Sequence, residues 1–294
     1  MFYKKALSIL LLSLFVGASF AQSSDSLAFV SARRHKLKIG KAEGYTISTT
    51  IFDVPQHISV IKFSPEHFSL GIIQPKELTK TSTMGEDANA QLAINGGYWG
   101  SKDRGADKPI IFVKINGEVM SKTAIGIVPR VNGLLLIDEK GIEIVVSEDA
   151  PDYPSLEDKI SKYDNILACG PTLIDDGKKI SYEWTKSASE KMRLRFKSHW
   201  HRNPRSAIGR DAAGNIYLIV VDGRHQGDAM GMTVEQLTEL CSWLGLVDAM
   251  NLDGGGSSTL WSSKYGIINY PSDNRQFDHE GERRVVNCIV VKRR

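Results

Sequence analysis

The run Asn251-Leu252-Asp253-Gly254-Gly255-Gly256-Ser257-Ser258-Thr259 narrows what this chain can fold into more than any other stretch. The mostly apolar segment 246–252 reads as a strand, and it delivers a carboxylate, three glycines and three hydroxyls in succession. Consecutive glycines cost backbone entropy, so they belong where the chain turns sharply or another group must approach closely. A plain hairpin needs only one or two of them. Successive N–H groups beside Ser and Thr hydroxyls would form a concavity for an anion or a sugar oxygen. The run is expected to be an active-site loop at the end of a strand.

Composition bounds the partners. Lys4 and Lys5, a short apolar run over 7–16, and small residues Ser19 and Ala21 read as a secretory signal over 1–21. The apolar run is too short to span a bilayer comfortably, so the expected product is exported, periplasmic or extracellular, with no stable membrane insertion once the signal is removed. Two of the 37 basic residues lie in that signal, which leaves 35 against 34 acidic ones. This near-neutral balance argues against nucleic acid as a partner. With 41% apolar residues the chain can bury a proper core. Cys169, Cys241 and Cys288 make no disulfide framework, and Cys241 and Cys288 read as buried free thiols. No CxxC or His-rich spacing marks a zinc site, and no cofactor motif appears.

Residues 22–44 are polar and charged and read as a weakly structured lead-in. Alternation and β-branched residues predict strands at 45–52, 57–63 and Phe68–Ile73, a short helix at 86–91 and a strand at 92–94. Asn95-Gly96-Gly97-Tyr98-Trp99 joins an amide and two aromatics to a freed backbone, which suits a sugar ring and equally an ordinary turn. Hairpin strands follow at 110–119 and 125–137, with turns at Asn116-Gly117 and Asn132-Gly133, and Gly141–Val146 continues the sheet. Gly170-Pro171 breaks a strand over 168–174, ahead of a turn at Asp175-Asp176-Gly177. Between Thr185 and Arg205 run Lys186, Lys191, Arg193, Arg195, Lys197 and Arg202, interleaved with Phe196, His199, Trp200 and His201. Such a run is a solvated face or a flap over an anionic substrate. Trp184, Trp243 and Trp261 read as packing residues.

Over 215–252 the pattern is a strand–helix–strand unit. A strand ends in Asp222-Gly223-Arg224, Thr233 and Gln236 form a capping box, Leu237, Leu240, Cys241 and Leu244 make an apolar stripe, and Gly245 stops the helix before the next strand. If the two strands are parallel neighbours, Asp222 and Asp253 emerge at one edge of the sheet. The fold class expected is α+β, a mixed β-sheet core with a few helices. Carboxylates at strand ends suit acid/base work or ion binding, with a turn cap as the alternative for Asp222. Arg205 and Arg224 present planar forks matched to phosphate, with a buried salt bridge as the alternative for Arg205.

Pro204-Arg205-Ser206-Ala207-Ile208-Gly209, Val221-Asp222-Gly223-Arg224, Gly231-Met232-Thr233 and the 251–259 run occur in one order, and together they resemble the phosphodiester glycosidase family. Asn95-Gly96-Gly97-Tyr98, Gly170-Pro171, Glu282-Arg283 and Asn287 extend the likeness over about 88–294. The resemblance implies a catalytic domain at 88–294 behind the signal (1–21) and an N-terminal lead-in and β-strand region (22–87). It implies an exported hydrolase that cleaves the glycosyl–phosphate bond of sugar-1-phosphodiesters, releasing the sugar and a phosphomonoester. On this likeness Asp253, Asp222, Arg205 and Arg224 are catalytic. Asn95, Gly97, Tyr98, Thr233, Asn251, Gly254, Gly255, Gly256, Ser257 and Ser258 contact a small carbohydrate phosphodiester or surface glycan, with no metal and no cofactor. The long basic stretch 186–203 and the acidic stretch 273–282 depart from the family's pattern and bear on the leaving group.

The chemistry agrees. A departing phosphate is already a good leaving group, so the site needs positive charge around it and a carboxylate facing the oxocarbenium-like sugar. Asp253 or Asp222 would supply the latter, and the Gly254, Gly255, Gly256, Ser257 and Ser258 amides would join Arg205 and Arg224 in the former. Two other classes compete. One is a metal-dependent phosphodiesterase cleaving the P–O bond, with Asp222 and Asp253 as ligands and His225 nearby. The other is a non-catalytic glycan-binding module built on Tyr98, Trp99 and Trp261.

Overall fold

The computed structural model describes residues 23–100, 108–123, 130–147 and 153–294. The signal read over 1–21 and the first residues of the strand expected at 125–137 lie outside the described residues. At the centre is the strand Ile216–Val221, whose six residues are all buried. Ile216, Leu218 and Val220 enter one core while Tyr217, Ile219 and Val221 enter another, as the two-residue period of a strand dictates. A strand apolar on both faces must be covered on both.

That strand lies in an eight-stranded sheet ordered His35–Ile39, Ala42–Ile51, Val54–Phe63, Ile216–Val221, Arg205–Asp211, Leu246–Asn251, Thr172–Asp175 and Lys178–Lys179. One face packs against two five-stranded sheets. The first runs Gly141–Val146, Gly133–Asp138, Asn165–Cys169, Val113–Ile115, Glu118–Ser121; the second runs Gly266–Ile267, Leu260–Ser262, Leu92–Asn95, Cys288–Arg293, Phe68–Ile73. The other face is covered by Phe29 of the helix Ser24–Ser31, Phe196 of the helix Glu190–Trp200, and Leu237, Leu240 and Cys241 of the helix Val234–Trp243. Sheets with a minority of helices make the molecule α+β. None of the helices among the described residues is long and apolar enough to cross a membrane.

The strands Ile216–Val221 and Leu246–Asn251 are not neighbours. Arg205–Asp211 lies between them, antiparallel to both. It is joined to Ile216–Val221 by a short turn, and such a local hairpin is the nearest pairing the chain can make. The consequence favours the site: because the intervening strand runs the other way, Arg205 at its start shares an edge with Asp222 and Asp253 at the ends of its partners.

Other expectations are corrected. The lead-in is ordered: Ser23 caps the helix Ser24–Ser31, accepting from Ser26 N–H at 3.1 Å. Leu37, Ile39 and Ala42 are buried in strands that begin well before Tyr45, the alternation being masked in sequence by the outward Lys36 and Lys38. The helix near 86–91 is instead Thr81–Asp87, because its first turn is capped from far along the chain, Ser82 N–H donating to Glu282 at 2.8 Å. Asn116-Gly117 does form a hairpin turn, both residues left-handed. Asn132-Gly133 does not; Gly133 opens the strand Gly133–Asp138, and the turn falls after Asp138, while the Asn132 amide bridges Thr172 N–H and the Tyr182 hydroxyl. Gly170-Pro171 is cis and separates two strands in different sheets. Trp243 and Trp261 pack, the former against Phe52 and Phe29, but Trp184 is 55% exposed. All three cysteines are free and buried, and burial pushes the Cys241 thiol up to about 12.

Candidate active site

Asp253 sits where two sheets meet end to end. Its N–H donates to Gly96 O at 3.0 Å, and its carbonyl accepts from Asn95 Nδ2 at 2.7 Å. Asn95 is wholly buried, and its Oδ1 takes Ser206 Oγ at 2.7 Å and Thr259 N–H at 3.1 Å. A single amide thus ties the end of Leu92–Asn95 to the start of Arg205–Asp211 and to both sides of the glycine run. Asn287 does the same on the other flank, accepting Gly97 N–H on Oδ1 at 2.8 Å.

The glycine run is not the open amide cradle its sequence suggests. Gly254 N–H donates to Asp253 Oδ1, Gly255 N–H to Pro204 O, Ser257 N–H to Gly254 O and Ser258 N–H to Gly255 O. Those four donors are satisfied within the protein. The glycines serve close approach instead. A Cβ on Gly255, which also holds φ at +64°, would come within 2.8 Å of Arg224 Nη2, and one on Gly256 within 2.5 Å of Arg283 Nη2. Two guanidinium groups therefore lie directly on the bare backbone. Beneath it the hydroxyls of Ser257, Ser258 and Thr259 are buried and find no hydrogen-bond partner among the described residues, nor does Asn251 Oδ1.

The two candidate aspartates differ sharply. Asp222 is 1% exposed, with Oδ2 at 2.7 Å from His57 Nδ1 and Oδ1 accepting from Asn269 Nδ2 at 2.8 Å and Tyr270 N–H at 3.0 Å. Its oxygens are fully engaged in holding other parts of the chain. Asp253 keeps one carboxyl oxygen without such a bond, and burial raises its pKa to about 6 against the pull of Gly254 N–H, Arg283 and Arg130. Arg205 is 5% exposed and has no carboxylate partner among the described residues. Nε donates to Met232 O at 2.8 Å and Nη2 to Ser198 O at 2.6 Å and His201 O at 3.0 Å; burial lowers its pKa to about 10. The buried salt bridge considered for it is thus replaced by three carbonyls. Arg224 stands in the left-handed region at φ 68°, held by Asn203 Oδ1 at 3.3 Å, its pKa lowered by burial and by the neighbouring Arg283. Arg283 is paired to Asp273, and Arg130 lies 5.6 Å from the Tyr98 ring centroid. The guanidiniums of Arg224, Arg283 and Arg130 thus act on the Asp253 carboxyl, with Asp273 paired to Arg283, an excess of positive charge suited to an anion.

Residues 88–292 match the profile of the family described as phosphodiester glycosidase. The chain belongs to the phosphodiester glycosidase family. Curated relatives include the human N-acetylglucosamine-1-phosphodiester alpha-N-acetylglucosaminidase, 38% identical over 29% of this chain and 16% of that protein. Another is the SPbeta prophage-derived uncharacterized protein YomE of Bacillus subtilis (strain 168), 33% identical over 43% of this chain and 17% of that protein. The chain therefore spans about a sixth of the length of these relatives. In fold it is similar to the catalytic domain of the zebrafish N-acetylglucosamine-1-phosphodiester alpha-N-acetylglucosaminidase, with TM-score 0.66 and 18% identity over 88% of this chain and 85% of that one. A hypothetical protein from Synechocystis also matches at TM-score 0.66, covering 89% of this chain and 64% of that one at 16% identity.

Membership among the phosphodiester glycosidases sharpens the site, since its motif residues divide into two sets. Asp253, Arg205, Arg224 and the 254–258 loop come together at the sheet edge. Asn95 and Thr233 have their side chains engaged within the fold: Asn95 bonds Asp253 O, Ser206 and Thr259, and Thr233 caps the helix Val234–Trp243 in a complete capping box with Gln236. Asn251 Nδ2 donates to Gly170 O at 2.9 Å, the carbonyl that also accepts from the Tyr98 hydroxyl at 2.6 Å. Gly97 packs its bare Cα against Ile111. Arg130 was not foreseen, because only the tertiary fold brings it over Tyr98. Arg283 was visible in Glu282-Arg283, but without its role at Gly256. His199 was also missed as a site neighbour; it is 1% exposed with both ring nitrogens unpartnered among the described residues, and burial beside Arg205 lowers its pKa to about 3. Among the described residues no cluster of three His, Cys, Asp or Glu side chains could hold a metal. A groove of about 610 Å³ lined by Phe29, Arg34, Tyr45, Lys62, Tyr217 and Trp243 shares no residue with this site.

Proposed function

We propose that the chain is an exported hydrolase that cleaves the glycosyl–phosphate bond of sugar-1-phosphodiesters, with Asp253 acting at the anomeric centre. The observation that carries this reading is Asp253 itself, a carboxyl with pKa raised to about 6 among arginines that have one other carboxylate, Asp273, between them. Arg205, Arg224 and Arg283 hold the phosphodiester. As the C–O bond breaks, its electron pair leaves with the phosphate oxygen, and the guanidiniums stabilise that charge. Asp253, ionised, faces the oxocarbenium-like sugar, either bonding to it or drawing a proton from water. The orphaned Ser257, Ser258 and Asn251 oxygens supply partners for sugar or phosphate oxygens. Asp222 serves as an anchor, fastening His57 and the 269–270 backbone behind the site. The metal-dependent alternative would need Asp222 on the ion, whereas its oxygens already accept three hydrogen bonds.

Turnover of a synthetic sugar-1-phosphodiester in water enriched in heavy oxygen tests the reading. The label is expected on the sugar's anomeric oxygen, with turnover lost in Asp253→Asn. Label on the phosphate would overturn it in favour of P–O cleavage. Export rests on the charged, apolar and small-residue order of 1–21, and N-terminal sequencing of secreted protein is expected to begin at Gln22.

A further inference from the structure

We propose that the groove beside the helix Glu190–Trp200 docks the remainder of a polymeric substrate, a chain of alternating sugars and phosphodiesters whose end is cleaved at Asp253. The proposal rests on the glycosidase reading above and adds the substrate class.

The helix is tied directly to the site. Its last turn supplies the Ser198 carbonyl, and the residue after it the His201 carbonyl, that hold Arg205 Nη2. His201, whose carbonyl holds Arg205, also borders a groove of about 290 Å³ lined by Lys186, Glu190, Arg193, Leu194, Lys197 and Trp200, in which Lys186 is paired to Glu183 at 2.7 Å. Between 185 and 205 the chain places seven of its 37 basic residues against a single acidic one, although the net charge of the whole is only +3. An ordinary solvated helix gains stability from opposite charges at i,i+4, but here Arg193 and Lys197 stand at that spacing with like charge. The helix thus accepts a local electrostatic cost that a polyanion would relieve.

Aromatic surface alternates with these cations. Trp184, 55% exposed, rests edge-on against buried Phe196 with ring centroids 5.6 Å apart, so a firmly seated indole faces solvent. Leu194, which lines the groove, is 64% exposed. Lys186 Nζ lies 4.4 Å from the Trp200 ring centroid, and the Trp200 indole N–H has no partner among the described residues. Arg193 and Lys197 are about 6 Å apart along the helix axis, roughly the span of one sugar unit. Exposed indole for sugar faces and regularly spaced cations for phosphates fit a repeating sugar–phosphate chain. The adjoining site, which acts on that same linkage, favours it over a nucleic acid.

The test compares a fluorescent oligomer of glycosyl 1-phosphate repeats with a single-repeat diester, on wild type and on the combined variant Lys186→Glu, Arg193→Glu, Lys197→Glu. KM for the oligomer is expected to rise at least about tenfold (about 1.4 kcal/mol), while KM for the single repeat stays within about twofold. The slope of log Kd against log salt for the oligomer, read by anisotropy, is expected to become shallower by about 2. Trp184→Ala, which keeps every charge, is expected to weaken oligomer binding and spare the single repeat. Equal changes on both substrates, or none on either, would overturn the proposal, as would wild-type preference for single-stranded DNA of equal charge. Failure to hydrolyse the single repeat would instead sink the glycosidase reading, since anisotropy reports the groove without turnover.

Discussion

Asp253 and Asp222 are the same side chain at equivalent strand ends, and their hydrogen-bond surroundings differ. Asp253 has its pKa raised from 3.8 to about 6 by burial, so as a base or nucleophile it is ionised only above that value. The expected kcat/KM profile rises with pH through about 6, and Asp253→Asn loses about 10³-fold in kcat at pH 7. The sign for stability is opposite. A carboxyl whose pKa is raised by folding stabilises the protein below 3.8, and this stabilisation disappears as pH climbs through about 6. Asp253→Asn is therefore expected to melt higher than wild type at pH 7, the difference closing towards pH 4, as thermal melts at the two pH values would show. Asp222→Ala should behave in reverse, with a Tm drop of several degrees because His57, Asn269 and Tyr270 N–H lose their acceptor, but with kcat of the folded fraction within about tenfold. A fall in kcat matching that of Asp253→Asn would return Asp222 to the catalytic set. Both aspartates were legible from their position at strand ends. Their different surroundings were not, because the partners that Asp222 engages lie far along the chain, His57 being 165 residues away.

At the scale of the element, the glycine run was legible as a loop at a strand end and illegible as a device. Sequence shows three bare residues; only the fold shows that Arg224 and Arg283 lie on them. Gly255→Ala is expected to push the Arg224 guanidinium away and strain a residue at φ +64°, lowering kcat/KM by about 10²-fold. Gly214→Ala is the control: φ is +81° there too, but nothing lies within 4 Å of the new Cβ, so stability should fall with kcat/KM unchanged. If both variants lost activity alike, close approach would not be what the glycines are for. The helix Val234–Trp243 was the most readable element, since cap, stripe and stop are all local in sequence. Thr233→Ala removes its cap and should cost about 1 kcal/mol, seen as a lower denaturation midpoint rather than a change in KM. The helix Thr81–Asp87 was misplaced for the opposite reason, its cap coming from Glu282 at the far end of the chain. Local signals gave the elements whose ends are fixed locally, and missed those fixed at a distance.

At the scale of the whole molecule, the family likeness begins at residue 88, yet the fold does not divide there. Val54–Phe63 pairs along the full length of Ile216–Val221, and Phe68–Ile73 pairs with Cys288–Arg293. Ile58 and Val60 enter one core and Ile61 and Phe63 the other, so the N-terminal strands complete both layers around the central strand. They also bring His57 to Asp222, which in turn holds Asn269 and Tyr270 at the start of the segment leading to Asp273 and Arg283. A chain beginning at residue 88 would expose a long apolar strand edge, a template for aggregation, and would leave the Asp222 carboxylate buried without its histidine. We therefore expect the 88–294 fragment to be insoluble or to unfold without cooperativity, whereas a fragment beginning at residue 34 keeps every strand of the large sheet and melts in one transition. The Ser24–Ser31 helix contributes Phe29 to the second core, so the longer fragment should still melt below a chain starting at residue 23. A soluble 88–294 fragment with a sharp melt and full turnover would show that the catalytic unit stands without its N-terminal strands; retained folding with lost turnover would place the His57–Asp222 link among the features that hold the arginines over the glycine run.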